Sequence, residues 1–369
     1  MEASELVFVT FWAAAYGFFA LLTWRQNSRQ KGDVIGGFPL SDLTVIIPFR
    51  NECDNLEKLC KSLLSQKEKP AYLFFIDDHS SDGGAEFIQA HMANSGYDFE
   101  IIQMNEGNFG KKRAIMNAVN LAKTTYCQTL DADVWFEPDF FKNLPEPNDQ
   151  EMLILPVRML GNSGFTNIFE LEYGSFQILQ ANVSRSKPLM ASGANLIFSR
   201  NTYLKINQLA SHDHRSSGDD QYALAQFISN NRKIAAFFDP RLAVSTQTPE
   251  NIRLLLRQRV RWMGNNTQGN DWRAFLLSLL LFTLNTSFLL LCVKFAFDTN
   301  LLFVLVMLGL KCGADLLIYA AWFNRNKTWH LLPWLPALSA LYPLYLLILP
   351  VSFLLTKNSL QWKQRLVKE

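Results

Sequence analysis

Charge is scarce in this sequence. Asp, Glu, Lys and Arg make up 18% of its 369 residues, whereas a soluble globular chain usually carries about 25%. The formal net charge is only +2, so the basic excess of a general nucleic-acid binder is missing and no nucleic-acid partner is expected. Cysteine is also rare, with five residues and no Cys-x-x-Cys pair, which argues against a disulfide framework or a zinc ribbon. Apolar residues make up 49%, and that content excludes a disordered chain.

Long runs with almost no charge occupy both ends of the chain. They are residues 6–24, 274–297 (with Lys294), 301–323 (with Lys311 and Asp315) and 331–356. A helix needs about 20 apolar residues to cross a bilayer, so each run is a candidate membrane span. Buried core helices are the alternative, but four such runs favour a membrane protein with one large polar domain. Lys311 and Asp315 lie four residues apart, so they are expected either to pair on one helix face or to mark a functional site.

The charges beside the first run indicate its orientation. Its N-terminal side is acidic, with Glu2 and Glu5, whereas Arg25, Arg29 and Lys31 follow it. A cleaved signal peptide begins with basic residues, so this run is expected to remain in the protein. Because Lys and Arg near a span prefer the cytoplasmic side, we expect an outward N-terminus and a polar domain in the cytoplasm, at the inner membrane.

The C-terminal tail conflicts with a simple count of spans. Three crossings after a cytoplasmic domain would place residues 357–369 outside, yet this tail carries Lys357, Lys363, Arg365 and Lys368. The last apolar run contains four prolines, which break or kink helices: Pro333, Pro336, Pro343 and Pro350. We therefore expect this proline-rich segment not to cross simply, but to form a re-entrant or split element.

The polar domain alternates between strand and helix patterns. Short apolar runs typical of buried parallel strands occupy residues 43–48, 72–76, 99–103 and 126–130. Helical patterns lie between them, at Leu56, Leu59, Leu63 and Leu64, then at residues 86–93 and 111–122. This alternation predicts an α/β sheet, in which ligands bind beyond the carboxyl ends of the strands.

Acidic residues follow two of the predicted strands. Asp77 and Asp78 come after the second strand, and Asp131 and Asp133 come after the fourth. The latter pair flanks a single residue, so both carboxylates can face one hard cation such as magnesium or manganese. Zinc, which prefers His and Cys ligands, is less expected. A turn and helix cap is the alternative for the first pair, since Asp and Ser favour both.

Seven motifs, in order, carry a family resemblance. They are Ile46-Ile47-Pro48-Phe49-Arg50-Asn51-Glu52, Asp77-Asp78-His79-Ser80-Ser81-Asp82-Gly83, Gly110-Lys111-Lys112-Arg113-Ala114, Asp131-Ala132-Asp133, Ser192-Gly193-Ala194-Asn195, Gly218-Asp219-Asp220 and Gln258-Arg259-Val260-Arg261-Trp262. Over about residues 43–265, the chain resembles the family 2 glycosyltransferases. The resemblance implies a GT-A fold, which is a Rossmann-like domain that binds a nucleotide sugar. It also implies a divalent cation, Mn or Mg, and transfer of a hexose with inversion.

The resemblance also implies a role for each motif. Nucleotide binding would fall to Pro48, Glu52, Asp77, Asp78, Lys111, Lys112 and Asp131, and the metal to Asp131 and Asp133. The acceptor side would be formed by Gly193, Ala194 and Asn195, and Gln258, Arg261 and Trp262 would close over the diphosphate and acceptor. Asp220 would be the general base. The family has Glu where this chain has Asp219, which leaves open which of the two is the base.

Two segments beside the polar domain mix apolar and polar residues. Residues 163–185 and 250–265 are expected to form amphipathic helices at the membrane interface, with core packing as an equal alternative for the first. Arg253, Arg257 and Arg259 are expected to face lipid headgroups. Arg261 is the exception, because a planar guanidinium beside Trp262 suits phosphate oxygens.

The predicted organisation has six parts. They are an N-terminal transmembrane helix with its flank (1–26), a linker (27–42), a cytoplasmic GT-A catalytic domain (43–249), an interfacial helix (250–272), a C-terminal transmembrane bundle (273–356) and a basic tail (357–369). The expected function is transfer of a sugar from a nucleotide-sugar donor, UDP-linked, to a lipid acceptor at the cytoplasmic membrane face. The expected partners are that donor, a lipid or glycan acceptor and membrane lipids. Two alternatives stay open: a processive polysaccharide synthase, and a catalytically silent membrane scaffold.

Overall fold

The middle of the chain folds into a sheet covered by helices. The computed structural model of the protein describes residues 3–30, 32–107, 109–182, 185–206, 218–266, 272–356, 361–362 and 365–366. The strands are β1 (Leu43–Phe49), β2 (Tyr72–Asp77), β3 (Phe99–Gln103), β4 (Tyr126–Leu130), β5 (Met152–Ile154), β6 (Val157–Leu160), β7 (Asn195–Ser199), β8 (Ile234–Ala236), β9 (Val244–Gln247), β10 (Gln361–Trp362) and β11 (Arg365–Leu366). The helices are α1 (Ala3–Ser28), α2 (Cys53–Leu64), α3 (Gly84–Met92), α4 (Lys111–Leu121), α5 (Phe140–Asn143), α6 (Gly164–Ala181), α7 (Arg200–Ile206), α8 (Asp219–Ser229), α9 (Ile252–Asn266), α10 (Trp272–Phe297), α11 (Leu301–Asn326) and α12 (Leu335–Thr356). Short 3₁₀ turns at Leu40–Asp42, Pro240–Leu242 and Trp329–Trp334 precede β1, β9 and α12.

The four strands predicted from the sequence are confirmed and form one half of the main sheet. The strand order is β3-β2-β1-β4-β7-β5-β8, and β1 to β4 are all parallel. Every residue of β1 is buried, as expected for a central strand covered on both faces. The sheet is mixed, because β7 runs antiparallel to both β4 and β5, while β6 and β9 pair separately. The fold is therefore the expected α/β class.

The predicted helices of this half are also confirmed. Helix α2 buries Leu56, Leu59 and Leu63 against the sheet. Leu64, predicted on the same face, is exposed instead, because the helix ends at this residue. Helices α3 and α4 occupy almost the ranges that the sequence predicts.

The segment between α1 and β1 is bound to the polar domain through Asp33. The Asp33 carboxylate is almost fully buried, where it pairs with Arg185. Its Oδ2 accepts the backbone N–H groups of Phe238 and Asp239, both at 2.7 Å. Three partners on one carboxylate fix the position at which the first apolar helix meets the polar domain.

Helix α6 joins the polar domain to the apolar helices. Tyr319 Oη of α11 donates to the backbone oxygen of Leu171 at 2.7 Å, and Trp322 Nε1 donates to Gln177 Oε1 at 2.6 Å. A Cβ added at Gly174 would lie 2.9 Å from the Trp322 ring. The absence of a side chain at this position therefore lets α6 and α11 approach closely. The predicted amphipathic segment, which contains α6, therefore packs at the junction of the polar domain and the apolar helices.

In the described part of the chain, four helices are long and apolar enough to cross a membrane, as expected. These candidate spans are Glu5–Ser28, Trp272–Phe297, Leu301–Asn326 and Trp329–Leu355. Glu5 pairs with Lys294, and Trp12 Nε1 donates to the backbone oxygen of Leu284 at 2.8 Å. These two contacts place α10 antiparallel to α1. The length and composition of the four helices are those of a membrane protein.

Lys311 and Asp315 pair inside the helix bundle, as one of the two sequence alternatives predicts. Lys311 Nζ lies 2.7 Å from Asp315 Oδ2. The same carboxylate accepts hydrogen bonds from Tyr16 Oη and Ser339 Oγ, both at 2.6 Å. The carboxylate thus compensates the buried cation, and its hydrogen bonds tie α11 to α1 and α12.

The last apolar segment is divided only at its start, where a 3₁₀ turn at Trp329–Trp334 holds Pro333 and α12 begins at Leu335. Helix α12 itself is continuous through Pro343 and Pro350. The two ends of the segment contact α6 and α9. A Cβ at Gly164 would lie 2.8 Å from the Trp334 ring, and one at Gly264 would lie 3.5 Å from the Phe353 ring. A re-entrant path stays a prediction, and the basic side chains of the tail lie outside the described residues.

Candidate active site

A cavity of about 790 Å³ opens at the carboxyl ends of β1 and β4. The N-terminus of α8 and one face of α9 complete its wall. Thirteen of the sixteen residues predicted to bind nucleotide, metal or acceptor line it: Pro48, Glu52, Asp78, Lys111, Asp131, Asp133, Gly193, Ala194, Asp219, Asp220, Gln258, Arg261 and Trp262. Residues from seven separate motifs are thus brought to one place.

The other three predicted residues, Asp77, Lys112 and Asn195, do not line this cavity. Asp77 Oδ1 accepts the backbone N–H of Ser80 at 2.8 Å, so it shapes the turn after β2. Asn195 is fully buried, and its Nδ2 donates to backbone oxygens on two other segments at 2.9 Å. Lys112 is buried on α4. The assignment of these three residues to ligand binding stays a prediction, and their positions lie behind the cavity wall rather than on it.

Asp78 is held at the floor of the cavity. It is 2% exposed, and its Oδ2 accepts the backbone N–H of Gly110 at 3.1 Å. Arg50 Nη1 lies 3.9 Å from the same oxygen and donates to the backbone oxygen of Asp78 at 3.3 Å. Gly110 adopts a φ of +101°, a conformation that favours glycine. The loop before α4 can therefore turn its N–H toward this carboxylate.

Asp131 and Asp133 form the acidic side of the cavity. Asp131 is ion-paired with Lys111, whereas Asp133 Oδ2 accepts a hydrogen bond from Thr246 Oγ1 at 3.2 Å. Burial, together with the nearby charges of Asp131 and Glu52, raises the pKa of Asp133 to about 6. Burial is the larger cause of this shift, and the repulsion among the carboxylates adds to it; a cation would offset that repulsion.

Asp219 and Asp220 begin α8, directly after Gly218, which adopts a φ of +86°. Asp220 Oδ2 accepts the backbone N–H of Gly193 at 3.0 Å, and Oδ1 accepts the N–H of Gln221 at 2.8 Å. Burial and the neighbouring Asp219 carboxylate raise the pKa of Asp220 to about 6, although Lys111 and the two N–H groups oppose the shift. Asp220 is therefore a half-buried carboxylate that is ionised at neutral pH and can accept a proton.

Gly193 lies where three charged groups converge. A Cβ at this position would lie 3.2 Å from Lys111 Nζ and 3.6 Å from Asp219 Oδ2. Although burial lowers the pKa of Lys111, the carboxylates of Asp131, Asp219 and Asp220 raise it above its ordinary value overall. The Lys111 ammonium is thus a permanent charge between the predicted metal carboxylates and the predicted base.

Helix α9 brings Gln258, Arg261 and Trp262 to the cavity. Burial lowers the pKa of Arg261, and the carboxylates of Asp131, Asp220 and Asp133 oppose that shift. The Arg261 guanidinium therefore interacts electrostatically with both acidic parts of the site, Asp131 with Asp133 and Asp220. A group that binds an anion between these two parts would occupy such a position. The Trp262 ring packs edge-on against Phe176, with centroids 6.3 Å apart.

The expectation that Arg259 faces lipid headgroups is wrong. Its side chain is 1% exposed, and Nε and Nη2 donate to the Glu172 carboxylate at 2.6–3.1 Å. Glu172 lies on α6, and its charge compensates that of the guanidinium inside the protein. Arg253 and Arg257 are both exposed, and Arg257 also lines the cavity, so their contact with lipid headgroups stays a prediction.

Several residues that line the cavity were not predicted from the sequence to belong to the site. They include Arg50, Tyr173, Phe176, Thr246, Arg257 and Leu349. Arg50 lies within the first motif, and its charge beside Asn51-Glu52 was the available signal. The others lie on elements distant in sequence, and no spacing relates them to the motifs.

Two family patterns match this chain. The family described as "Glycosyl transferase family 2" matches residues 44–206. The family described as "Glycosyl transferase family group 2" matches residues 129–355, which is more than half of the chain. The chain belongs to glycosyl transferase family group 2. This glycosyltransferase therefore has the enzyme class, and the Rossmann-like GT-A fold, that its motifs predict.

Individual relatives resemble parts of this glycosyltransferase. An undecaprenyl-phosphate 4-deoxy-4-formamido-L-arabinose transferase from Edwardsiella ictaluri is 32% identical over 29% of this chain and 34% of the relative. A poly-beta-1,6-N-acetyl-D-glucosamine synthase from Staphylococcus epidermidis is 26% identical over 60% of this chain and 53% of the relative. The matches thus span about a third to a half of these relatives' length.

One solved structure resembles nearly the whole chain. It is a mannosyltransferase from Pyrobaculum calidifontis, determined in complex with GDP-Man and Mn²⁺. It is 17% identical, with a TM-score of 0.53, and the alignment covers 92% of this chain and 99% of that protein. At this identity, the likeness concerns the fold.

Proposed function

We propose that this protein is a membrane-bound, inverting glycosyltransferase that moves a sugar from a UDP-linked donor to a lipid acceptor. Transfer takes place at the cytoplasmic face of the inner membrane. The observation that carries the proposal is the composition of the cavity wall, where Asp220 and Arg261 share one cavity with Leu349 of α12. Acid–base groups, an anion-binding group and a residue of an apolar helix thus meet in one space.

The donor occupies the half of the cavity nearest β1 and β4. Asp78, oriented by Gly110 and Arg50, accepts hydrogen bonds from the uracil or ribose end. Pro48 and Glu52 bound the same half. Arg261 and Lys111 supply positive charge for the diphosphate, and the planar guanidinium can meet two of its oxygens at once.

A divalent cation fits the acidic side of this half. Among the described residues, no group of three or more His, Cys, Asp or Glu side chains is arranged to hold a metal. Asp131 and Asp133 would therefore supply two ligands, and diphosphate oxygens and water the others, which suits magnesium or manganese. Bound there, the cation would neutralise charge that develops on the departing diphosphate. The P. calidifontis mannosyltransferase was determined with Mn²⁺, which supports this choice.

Asp220 acts as the general base in this proposal. A sugar or lipid hydroxyl is a poor nucleophile, so a carboxylate must accept its proton as it attacks the anomeric carbon. The hydrogen bonds from Gly193 and Gln221 hold the Asp220 carboxylate in place. A single displacement, with the base and the leaving diphosphate on opposite sides of the sugar, inverts the anomeric configuration. Asp219 helps to hold Lys111 in place by its charge.

The acceptor enters beside the apolar helices. Leu254, Met263 and Leu349 line the cavity together with Tyr173 and Phe176. Apolar and aromatic walls suit the chain of a lipid, and the sugar-accepting group would then reach Asp220. The Edwardsiella relative is an undecaprenyl-phosphate transferase, which supports a lipid acceptor.

A processive polysaccharide synthase is the second candidate. The S. epidermidis poly-N-acetylglucosamine synthase matches 60% of this chain, including sequence beyond the donor half, and favours it. A catalytically silent scaffold is set aside, because the chain belongs to a transferase family and retains the carboxylates of its cavity.

The purified protein, radiolabelled UDP-sugars and a bacterial lipid extract would test the proposal. We expect one labelled product that partitions into organic solvent, and no such product with Asp220→Asn. A ladder of long, water-soluble products would select the polysaccharide synthase instead. No transfer from any UDP-sugar, with transfer from a GDP-sugar, would overturn the donor assignment.

A further inference from the structure

Arg259 lies in the motif of α9 that lines the cavity, but its guanidinium is buried against Glu172 of α6. It is among the largest fully buried side chains in the described part of the chain. Three of its hydrogen bonds reach the two oxygens of Glu172. A buried ion pair of this kind costs desolvation of both groups, so it is weak support for stability by itself. Its other contacts point to a different role.

Two of those contacts reach residues of the proposed catalytic machinery. Arg259 Nη1 donates to Gln258 Oε1 at 2.6 Å. The guanidinium carbon lies 4.2 Å from the centroid of the Trp262 ring, within the distance of a cation–π contact. One immobilised side chain therefore touches both Gln258 and Trp262.

We propose that Arg259 is a positioning residue that fixes the orientation of Gln258 and Trp262 for transfer. The inference rests on the proposed function of the cavity. A guanidinium carries only donors, so the end of the Gln258 amide that faces it must be the oxygen. The amide nitrogen of Gln258 then points away from Arg259 and is available to donate to a diphosphate or acceptor oxygen. The Trp262 ring is held by the guanidinium on one face and by Tyr173 and Phe176 packed edge-on against it, so its orientation in the cavity wall is fixed.

The anchor of this arrangement extends to the last apolar helix. Tyr345 Oη of α12 donates to Glu172 Oε1 at 2.8 Å. Glu172 thus receives hydrogen bonds from both α9 and α12, and its carboxylate cannot turn without losing one of them. The position of Gln258 and Trp262 is therefore set jointly by α6, α9 and α12.

The full-length variant Arg259→Lys tests the proposal. Lysine keeps the charge and can still pair with Glu172, but it has no planar fork to hold Gln258 and no flat face for Trp262. Because a misplacement of about 1 Å can cost about 10²-fold in rate, we expect kcat to fall about 10- to 100-fold. UDP Kd should stay within about twofold, since Asp78 and Lys111 are untouched. Arg253→Lys, on an exposed part of the same helix, is the matched control.

A double-mutant cycle separates positioning from a general structural role. In a Gln258→Ala, Trp262→Ala background, Arg259→Lys should lower kcat less than about threefold, because its two targets are gone. The same loss in both backgrounds would overturn the proposal, as would an unchanged kcat in a folded Arg259→Lys protein. If Arg259→Lys does not fold, Tyr345→Phe removes only the hydrogen bond to Glu172. That variant should lower kcat about threefold or more with UDP Kd unchanged, and a wild-type kcat would contradict the inference.

A substrate-free measurement keeps this test separate from the proposed function. A cryo-EM map of Arg259→Lys should show the Trp262 ring displaced from its wild-type position, whatever the substrate is. An undisplaced ring and amide would refute positioning. A wild-type protein that transfers no sugar would instead refute the function.

Discussion

Replacement of Asp220 by Asn tests the proposed base directly. The wild-type carboxylate accepts N–H groups of Gly193 and Gln221 with its two oxygens. Asn keeps the size of the side chain and one acceptor, but its NH₂ group then meets one of the two N–H donors. The variant therefore removes the proton acceptor and weakens one hydrogen bond to the backbone.

The expected loss is large and confined to the chemical step. General-base catalysis typically contributes about 10²- to 10⁴-fold, so kcat should fall by that factor, about 3–5 kcal/mol in the barrier. The weakened hydrogen bond costs about 1 kcal/mol of stability, too little to unfold a protein of ordinary stability. UDP Kd should change little, because Asp220 lies on the acceptor side of Lys111.

The pH dependence follows from the raised pKa of Asp220. Its value of about 6 means that the carboxylate is ionised above that pH and protonated below it. Wild-type kcat/KM should therefore be full near pH 7 to 8 and fall as the pH drops through about 6. Asp219→Asn is the control and should retain more activity than Asp220→Asn. The reverse order would move the base to Asp219, and near-normal transfer by both variants would refute the general-base assignment.

Three further predictions concern the metal, the bundle and the tail. Chelation of divalent cations should abolish turnover, and manganese or magnesium should restore it. Asp133→Asn should raise the concentration of metal required, and full turnover in excess chelator would refute the metal. Lys311→Met leaves the Asp315 carboxylate buried without its cation, so the protein should lose about 3–5 kcal/mol of stability and several degrees of Tm. Lys311→Met combined with Asp315→Asn should recover most of that loss, and an unchanged Tm in the single variant would contradict the pairing. A cysteine at position 368 should be labelled by impermeant reagent only from the cytoplasmic side, since the two ends of the last apolar segment contact α6 and α9, which adjoin the polar domain. Labelling from outside alone would show that α12 crosses.

The first half of the sheet was predictable because its strands are continuous apolar runs followed by polar motifs. Parallel strands end at one edge, so Asp78, Asp131 and Asp133 had to lie near each other. Which of two adjacent side chains at a strand end faces the cavity could not be predicted in the same way. Neighbouring residues at a strand end point in different directions, and only the structure assigns Asp78 to the cavity and Asp77 to the turn.

The second half was harder to predict for a physical reason. Strands β5 to β9 are three to five residues long, too short for a periodic pattern. On α9, Arg259 and Arg261 are two positions apart, so they point about 200° apart around the helix axis. The burial of Arg259 depends on Glu172, which lies 87 residues away in sequence. The sequence contains no local signal for that partner, so three arginines received the same prediction and one of them was wrong.

The most direct test of transfer to a lipid measures how much UDP the purified protein releases from a UDP-sugar, with and without lipid extract. We expect release that requires both the extract and a divalent cation, and that nearly disappears in Asp220→Asn. Release at the same rate without any acceptor, or undiminished release by Asp220→Asn, would contradict it.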